Sequence, residues 1–100
     1  MIRHIVIFQL EGFTSEAEKA QSLECIKSEL EALPKEIQAL HTLKVSFNAN
    51  PEEPQSFMLE ATVSNWEDLK AYSNHPSHLR IVKEKINPFR KGRVAIDIEE

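Results

Sequence analysis

Tyr72-Ser73-Asn74-His75-Pro76-Ser77-His78 is the stretch from which the order of elements follows. Proline lacks an N–H and has a fixed φ, so Pro76 cannot continue a helix but suits the first position of a new one. The stretch predicts a helix ending near Asn74, a capping residue at His75 and a second helix from Pro76. His78 then falls in the first turn of that helix. There the exposed N–H groups and the positive end of the dipole disfavour an imidazolium. A neutral imidazole at this place can act as a base or as an acceptor.

Towards the N-terminus, Asn65 caps the preceding helix with Asp68 in its first turn. Trp66 and Leu69 are expected to face inward, with Tyr72 one turn further along the same side. Before them, Ser56 to Val63 alternates Phe57, Leu59, Ala61 and Val63 against Met58, Glu60 and Thr62, which is a strand. Asn48 to Pro54 carries two prolines and no periodicity, so it reads as a loop with few apolar anchors, tolerant of change. A strand from about Leu40 to Asn48 places Leu43, Val45 and Phe47 on one face. Ser15 and Glu18 have capping-box spacing, and Leu23, Ile26, Leu30 and Leu33 step at helical intervals up to Pro34, which ends that helix. The chain opens with a strand over residues 2–10. His4, Val6, Phe8 and Leu10 share one face, Arg3, Ile5, Ile7 and Gln9 the other.

Towards the C-terminus, Leu79, Val82 and Ile86 stand at helical spacing, Phe89 continues the row, and Pro88 and Gly92 stop it. Val94, Ile96 and Ile98 mark a closing strand. The order is β-α-β-β-α-α-β, a ferredoxin-like α+β plan in one domain, residues 1–100, with a four-stranded antiparallel sheet and its helices on one face. Three helices leave the other face of the sheet bare. It carries Ile5, Ile7 and Met58, so a two-fold pairing of sheet faces into a homodimer is expected.

The 100 residues hold one core, and 41% apolar with 28% charged residues is globular composition. A net charge of −4 argues against nucleic acid as a partner. The run Arg90, Lys91 and Arg93 reads as a solvated loop and strand start. No apolar run approaches the ~20 residues of a membrane span, and no leader pattern opens the chain, so a cytoplasmic protein without a membrane partner is expected. The single cysteine, Cys25, excludes an internal disulfide; it falls nearly opposite the apolar stripe of its helix and reads as an unactivated surface thiol.

Three of the four histidines lie in the opening strand and the quoted stretch. Plain structural roles are on offer for His4 as a satisfied core residue, for His75 with Pro76 as a helix break, and for Tyr72 as an amphipathic core residue. His41 has no partner and is assigned nothing. If His4 lies under the helices, however, a phenol and two imidazoles converge in an apolar cavity, a common form of binding site. Tyr72, His78 and His4 are then the candidate catalytic residues. Val6, Phe8, Phe57, Leu59, Ile26 and His75 are the expected lining. The set suits proton transfer next to a carbonyl, with a neutral imidazole to abstract and a phenol to polarise the oxygen. It does not suit a metal, and phosphate loops, paired carboxylates and Ser or Cys nucleophile motifs are absent, so no metal and no cofactor are expected.

The opening Ile2-Arg3-His4-Ile5-Val6-Ile7-Phe8, the Tyr72-x-x-His75-Pro76-x-His78 element and the closing Arg93-Val94-Ala95-Ile96-Asp97 together resemble the stress-responsive α/β-barrel (Dabb) family over the whole chain. The resemblance implies a ferredoxin-like fold that pairs through its sheets as a homodimeric α/β barrel. It also implies a pocket for a small, largely apolar carbonyl compound. Plant members of that family include polyketide cyclases that close a ring by an aldol-type step without a cofactor, and the positions matching His4, Tyr72 and His78 line their pocket. Phe57 stands where those cyclases have another histidine, and Ser22 and Ile26 where they have larger aromatic residues, which implies a less polar pocket of different shape. Some relatives hold a cation on backbone carbonyls matching about Pro34 to Leu40. Two alternatives stand beside the enzyme or binder: a non-catalytic structural or ligand-buffering stress protein, and a cofactor-free monooxygenase of the antibiotic-biosynthesis type.

Overall fold

Strict alternation of buried and half-buried residues along Ile2–Leu10 forms the first strand, β1, in the computed structural model, which describes residues Met1–Glu100. It is followed by α1 (Glu16–Glu31), β2 (Leu40–Phe47), β3 (Phe57–Val63), α2 (Trp66–Ser73), α3 (Pro76–Ile81) and β4 (Arg90–Glu99). All strand pairs are antiparallel, in the order β2-β3-β1-β4. This is the expected ferredoxin-like α+β arrangement. β1 lies inside the sheet and its partner β4 forms one edge.

The helix starts obey their caps. The Ser15 hydroxyl accepts from the Glu18 N–H at 3.1 Å, and the Asn65 side chain accepts from the Asp68 N–H at 2.8 Å. Glu18 does not return to the Ser15 N–H, as a full capping box would. Its carboxylate takes the hydroxyl and N–H of Thr14 instead. Pro34 sits in a 3₁₀ turn, Leu33–Lys35, just beyond α1.

The core lies between the helices and one sheet face. It unites Val6, Phe8, Leu10 and Ile2 from β1 with Ile26 and Leu30 from α1 and with Phe57, Leu59, Ala61 and Val63 from β3. Two apolar expectations need correction. Trp66 is exposed, because α2 meets the sheet at its C-terminal end: burial rises from Trp66 through Leu69 to Tyr72. Leu79 is exposed as well. Beyond α3 the chain winds as a π turn over Val82–Ile86, and in a π turn residues five apart share a face. Ile81 and Ile86 therefore both reach the core, while regular helical spacing had pointed to Leu79, Val82 and Ile86. Phe47, at the end of β2, is also outside the core, 37% exposed.

Cys25 is half-buried, not on the open surface. Its thiol donates to the Glu29 carboxylate at 3.3 Å, and that bond together with burial pushes its pKa up. The thiol is thus unactivated, as expected. The loop after β2 is also better anchored than its composition suggested. The Asn48 side-chain amide donates to the carbonyls of Asn50, Glu53 and Gln55.

The helices cover β1, β2 and β3 and leave β4 bare on both sides. On the outer side Val94 is 68% and Ile96 59% exposed, beside half-buried Ile5, Ile7 and Met58. No helix is long and apolar enough to cross a membrane.

Candidate functional site

The site lies at the margin between the helix-covered part of the sheet and bare β4. His4 comes to it from β1, on the face under the helices, and is 9% exposed. Opposite it on β4 stands Asp97, in the register His4↔Asp97, Val6↔Ala95, Phe8↔Arg93. Cross-strand partners share a face, so Arg93, Ala95 and Asp97 all project to the helix side. The His4 Nδ1 is 2.5 Å from the Asp97 Oδ1. A carboxylate can only accept, so Nδ1 carries the proton and the carboxylate fixes the ring.

Tyr72 comes from the buried end of α2. Its ring lies edge-on to His4, centroids 6.3 Å apart, and its other neighbour is His78, at 4.6 Å. The residue is 1% exposed, and burial holds its pKa well above the usual phenol range, against the lowering pull of Arg93. The hydroxyl makes no hydrogen bond within the chain. No side-chain polar atom sealed from solvent lacks a partner, so this hydroxyl must reach accessible space. It is a protonated donor at the edge of the core.

The helix break then sets His78. The helix α2 ends at Ser73, and the Ser73 carbonyl accepts from the His78 Nδ1 at 2.9 Å. In the neutral ring this leaves the lone pair on Nε2. Burial lowers the His78 pKa, the Ser73 carbonyl opposes this, and His4, Arg93 and His75 add to the lowering. The neutral base expected from helix position is therefore favoured mainly by desolvation.

His75 has a different position. Its Nδ1 accepts from the Ser77 N–H at 3.1 Å and caps α3, and the residue borders a separate cleft with Asp68, Ala71 and the Glu36–Ala39 turn. Val6, Phe8, Phe57, Leu59 and Ile26 belong to the packed core beneath the three rings, with Phe8 and Phe57 in ring contact at 5.2 Å. The four principal cavities of the chain are bordered by other residues than His4, Tyr72 and His78. His4 and the rings beside it border the exposed strand β4. No group of three or more His, Cys, Asp or Glu side chains could hold a metal ion. His41, left without a role, is 2.7 Å from the Ser64 hydroxyl.

Two residues beside His4 were given no site role from sequence, Asp97 and Arg93. Their signal was strand register: once β1 and β4 are neighbours, alternation alone puts them on the face of His4.

The chain is similar to known proteins in its fold. The stress responsive A/B barrel domain family matches residues 2–100. A solved dimeric protein of unknown function with a ferredoxin-like fold, from Bacteroides fragilis, is 30% identical, with 99% of this chain and 95% of that one covered and a TM-score of 0.91. A Dabb family protein from Mesorhizobium loti is 22% identical over 99% and 95% of the two chains, at a TM-score of 0.76. The hydroxynitrile lyase of Passiflora edulis is 19% identical over 99% and 94%, at 0.78. No curated protein matches the chain.

Proposed function

Because the chain belongs to the stress responsive A/B barrel domain family, we propose that it is a homodimer that binds or transforms a small, largely apolar carbonyl compound by proton transfer, without a cofactor. The observation that carries this reading is the 2.9 Å hydrogen bond from the His78 Nδ1 to the Ser73 carbonyl. With Nδ1 committed to the Ser73 carbonyl, a bare Nε2 lies on a ring in contact with Tyr72, whose hydroxyl has no partner in the chain.

The geometry supports the following roles in this reading. The His78 Nε2 takes a proton from the carbon next to the carbonyl. Tyr72 donates its O–H to the oxygen, where negative charge develops. The His4–Asp97 pair orients the third ring against Tyr72. The imidazolium formed on His78 then returns its proton to the carbon or to the leaving product, so the protein ends unchanged. Pairing through the outer sheet faces would cover Val94, Ile96, Ile5, Ile7 and Met58. It is also in keeping with the Bacteroides fragilis protein, which is described as dimeric.

One observation favours the non-catalytic alternative. Each of the three imidazoles also makes a bond with a local structural use, to Asp97, to the Ser77 N–H and to the Ser73 carbonyl. The monooxygenase alternative has a neighbour named a putative antibiotic biosynthesis monooxygenase, from Nitrosomonas europaea, at 12% identity, which carries the fold alone.

The test is proton exchange. Small aryl ketones incubated in D₂O with the protein should lose their α-proton NMR signals faster than in buffer, and His78→Ala should abolish the difference. Equal exchange with wild type and His78→Ala would remove His78 as the base.

A further inference from the structure

We propose that Arg93 is the anion anchor of this site, so that the carbonyl compound it takes carries a carboxylate; the inference rests on the proton-transfer reading above and names its substrate class. Arg93 lies on the helix side of β4, paired with Phe8, on the face that also presents His4 and Asp97. It is exposed and has no ion pair and no hydrogen bond. Every other charge at the site is occupied, since Asp97 holds His4. A charged fork with five donors and no partner can receive a planar anion at two points.

Position supports the assignment. By register Arg93 lies two side chains along this face of β4 from Asp97, the partner of His4, and its positive charge lowers the pKa of both Tyr72 and His78. Between Arg93 and Asp97 on the same face stands Ala95, a small and exposed side chain paired with Val6. The chain as a whole has a net charge of −4, yet Arg90 stands at this strand end beside Arg93, while Lys91 is held by Glu11 at 3.3 Å. A local basic patch on an acidic molecule draws anions to that place. A ligand held by its carboxylate at Arg93 would extend along β4 towards Tyr72 and His78 and present its carbonyl there. Only a proton moves in this step: the C–H bond breaks, Nε2 gains the proton, and the electron pair stays on the enolate oxygen facing Tyr72.

The probes are 4-oxo-4-phenylbutanoate and its methyl ester, which share the ketone and differ in the charge. Binding is read by NMR titration and exchange by loss of the protons next to the ketone, in wild type, Arg93→Gln and Arg93→Lys. The acid is expected to bind roughly tenfold more tightly than the ester to wild type, the worth of one charged hydrogen-bonded contact. Arg93→Gln should remove this preference with the fold intact by circular dichroism, and Arg93→Lys should restore part of it. Acid and ester binding alike, a preference that survives Arg93→Gln, or no binding of the acid at all would each overturn the anchor. Tight Arg93-dependent binding of the acid without exchange would instead overturn the proton-transfer reading and leave the anchor standing.

Discussion

At the scale of single residues, Tyr72 separates function from folding most cleanly. Its hydroxyl has no partner in the chain, so Tyr72→Phe keeps the packed ring and deletes a group that stabilises nothing. A thermal melt should show a change within about 1 kcal/mol, the size of one ordinary hydrogen bond, while ketone exchange falls steeply; a stability loss well beyond that would mean the hydroxyl is structural. For His78 the sign of the pH dependence follows from burial. Its folded pKa lies below the unfolded value, so the stability linked to the neutral ring is complete above the ordinary imidazole pKa of about 6.5. It is lost as pH falls towards the lowered folded value. Exchange should likewise stay level as pH is lowered through about 6.5 and drop only below it; an acid limb above that point, in a pH–rate profile, would contradict the assignment. His78, Tyr72 and His4 could be found from sequence because a helix break and strand alternation are local signals. Asp97 and Arg93 could not, since their part depends on which strand pairs with β1. Arg93 in particular had the composition of a solvated strand start.

At the scale of elements, the break between α2 and α3 rests on His75 and Pro76. Replacing His75 by Ala removes the side-chain cap on the Ser77 N–H and should cost about 1 kcal/mol, seen as a drop of a few degrees in Tm. The Asn48 side chain makes four bonds in the loop after β2, so Asn48→Ala, which frees three carbonyls and the Asn50 N–H, should cost about 1–2 kcal/mol. A neutral result in a denaturant melt would show that water replaces the amide without loss. The π turn offers a sharper case. Deleting the exposed Lys83 leaves Ile81 and Ile86 four apart, which is the same face of a regular α-helix. This deletion should be tolerated far better than deletion of Ser28 inside α1, which would turn Leu30 off the core. Equal losses of Tm for the two would show that the π turn is required. The caps and strands could be read from sequence because each is set by a few neighbouring residues. The π turn could not, because spacing alone assumes 3.6 residues per turn, and Trp66 misled because the angle of α2 to the sheet is a tertiary property.

At the scale of the molecule, one sheet face is covered by helices and the other presents Val94 and Ile96 beside Ile5, Ile7 and Met58. An apolar face of this kind, two-fold paired, is the expected dimer interface. Ile96 is exposed in the single chain, so Ile96→Lys should leave the subunit folded and yield a monomer mass in light scattering at micromolar concentration. A dimer mass for that variant would move the interface elsewhere. β4 serves both surfaces, with alternate residues facing the bare outer side and the helix side, so the order and register of the strands decide which residues join the candidate site. The central claim concerns what sits on the site side: a neutral His78 whose bare Nε2 faces the ligand. ¹⁵N NMR of the histidine side chains at neutral pH observes this directly. The account predicts a protonated Nδ1 and an unprotonated Nε2 for His78; a proton on Nε2, alone or in an imidazolium, would contradict it.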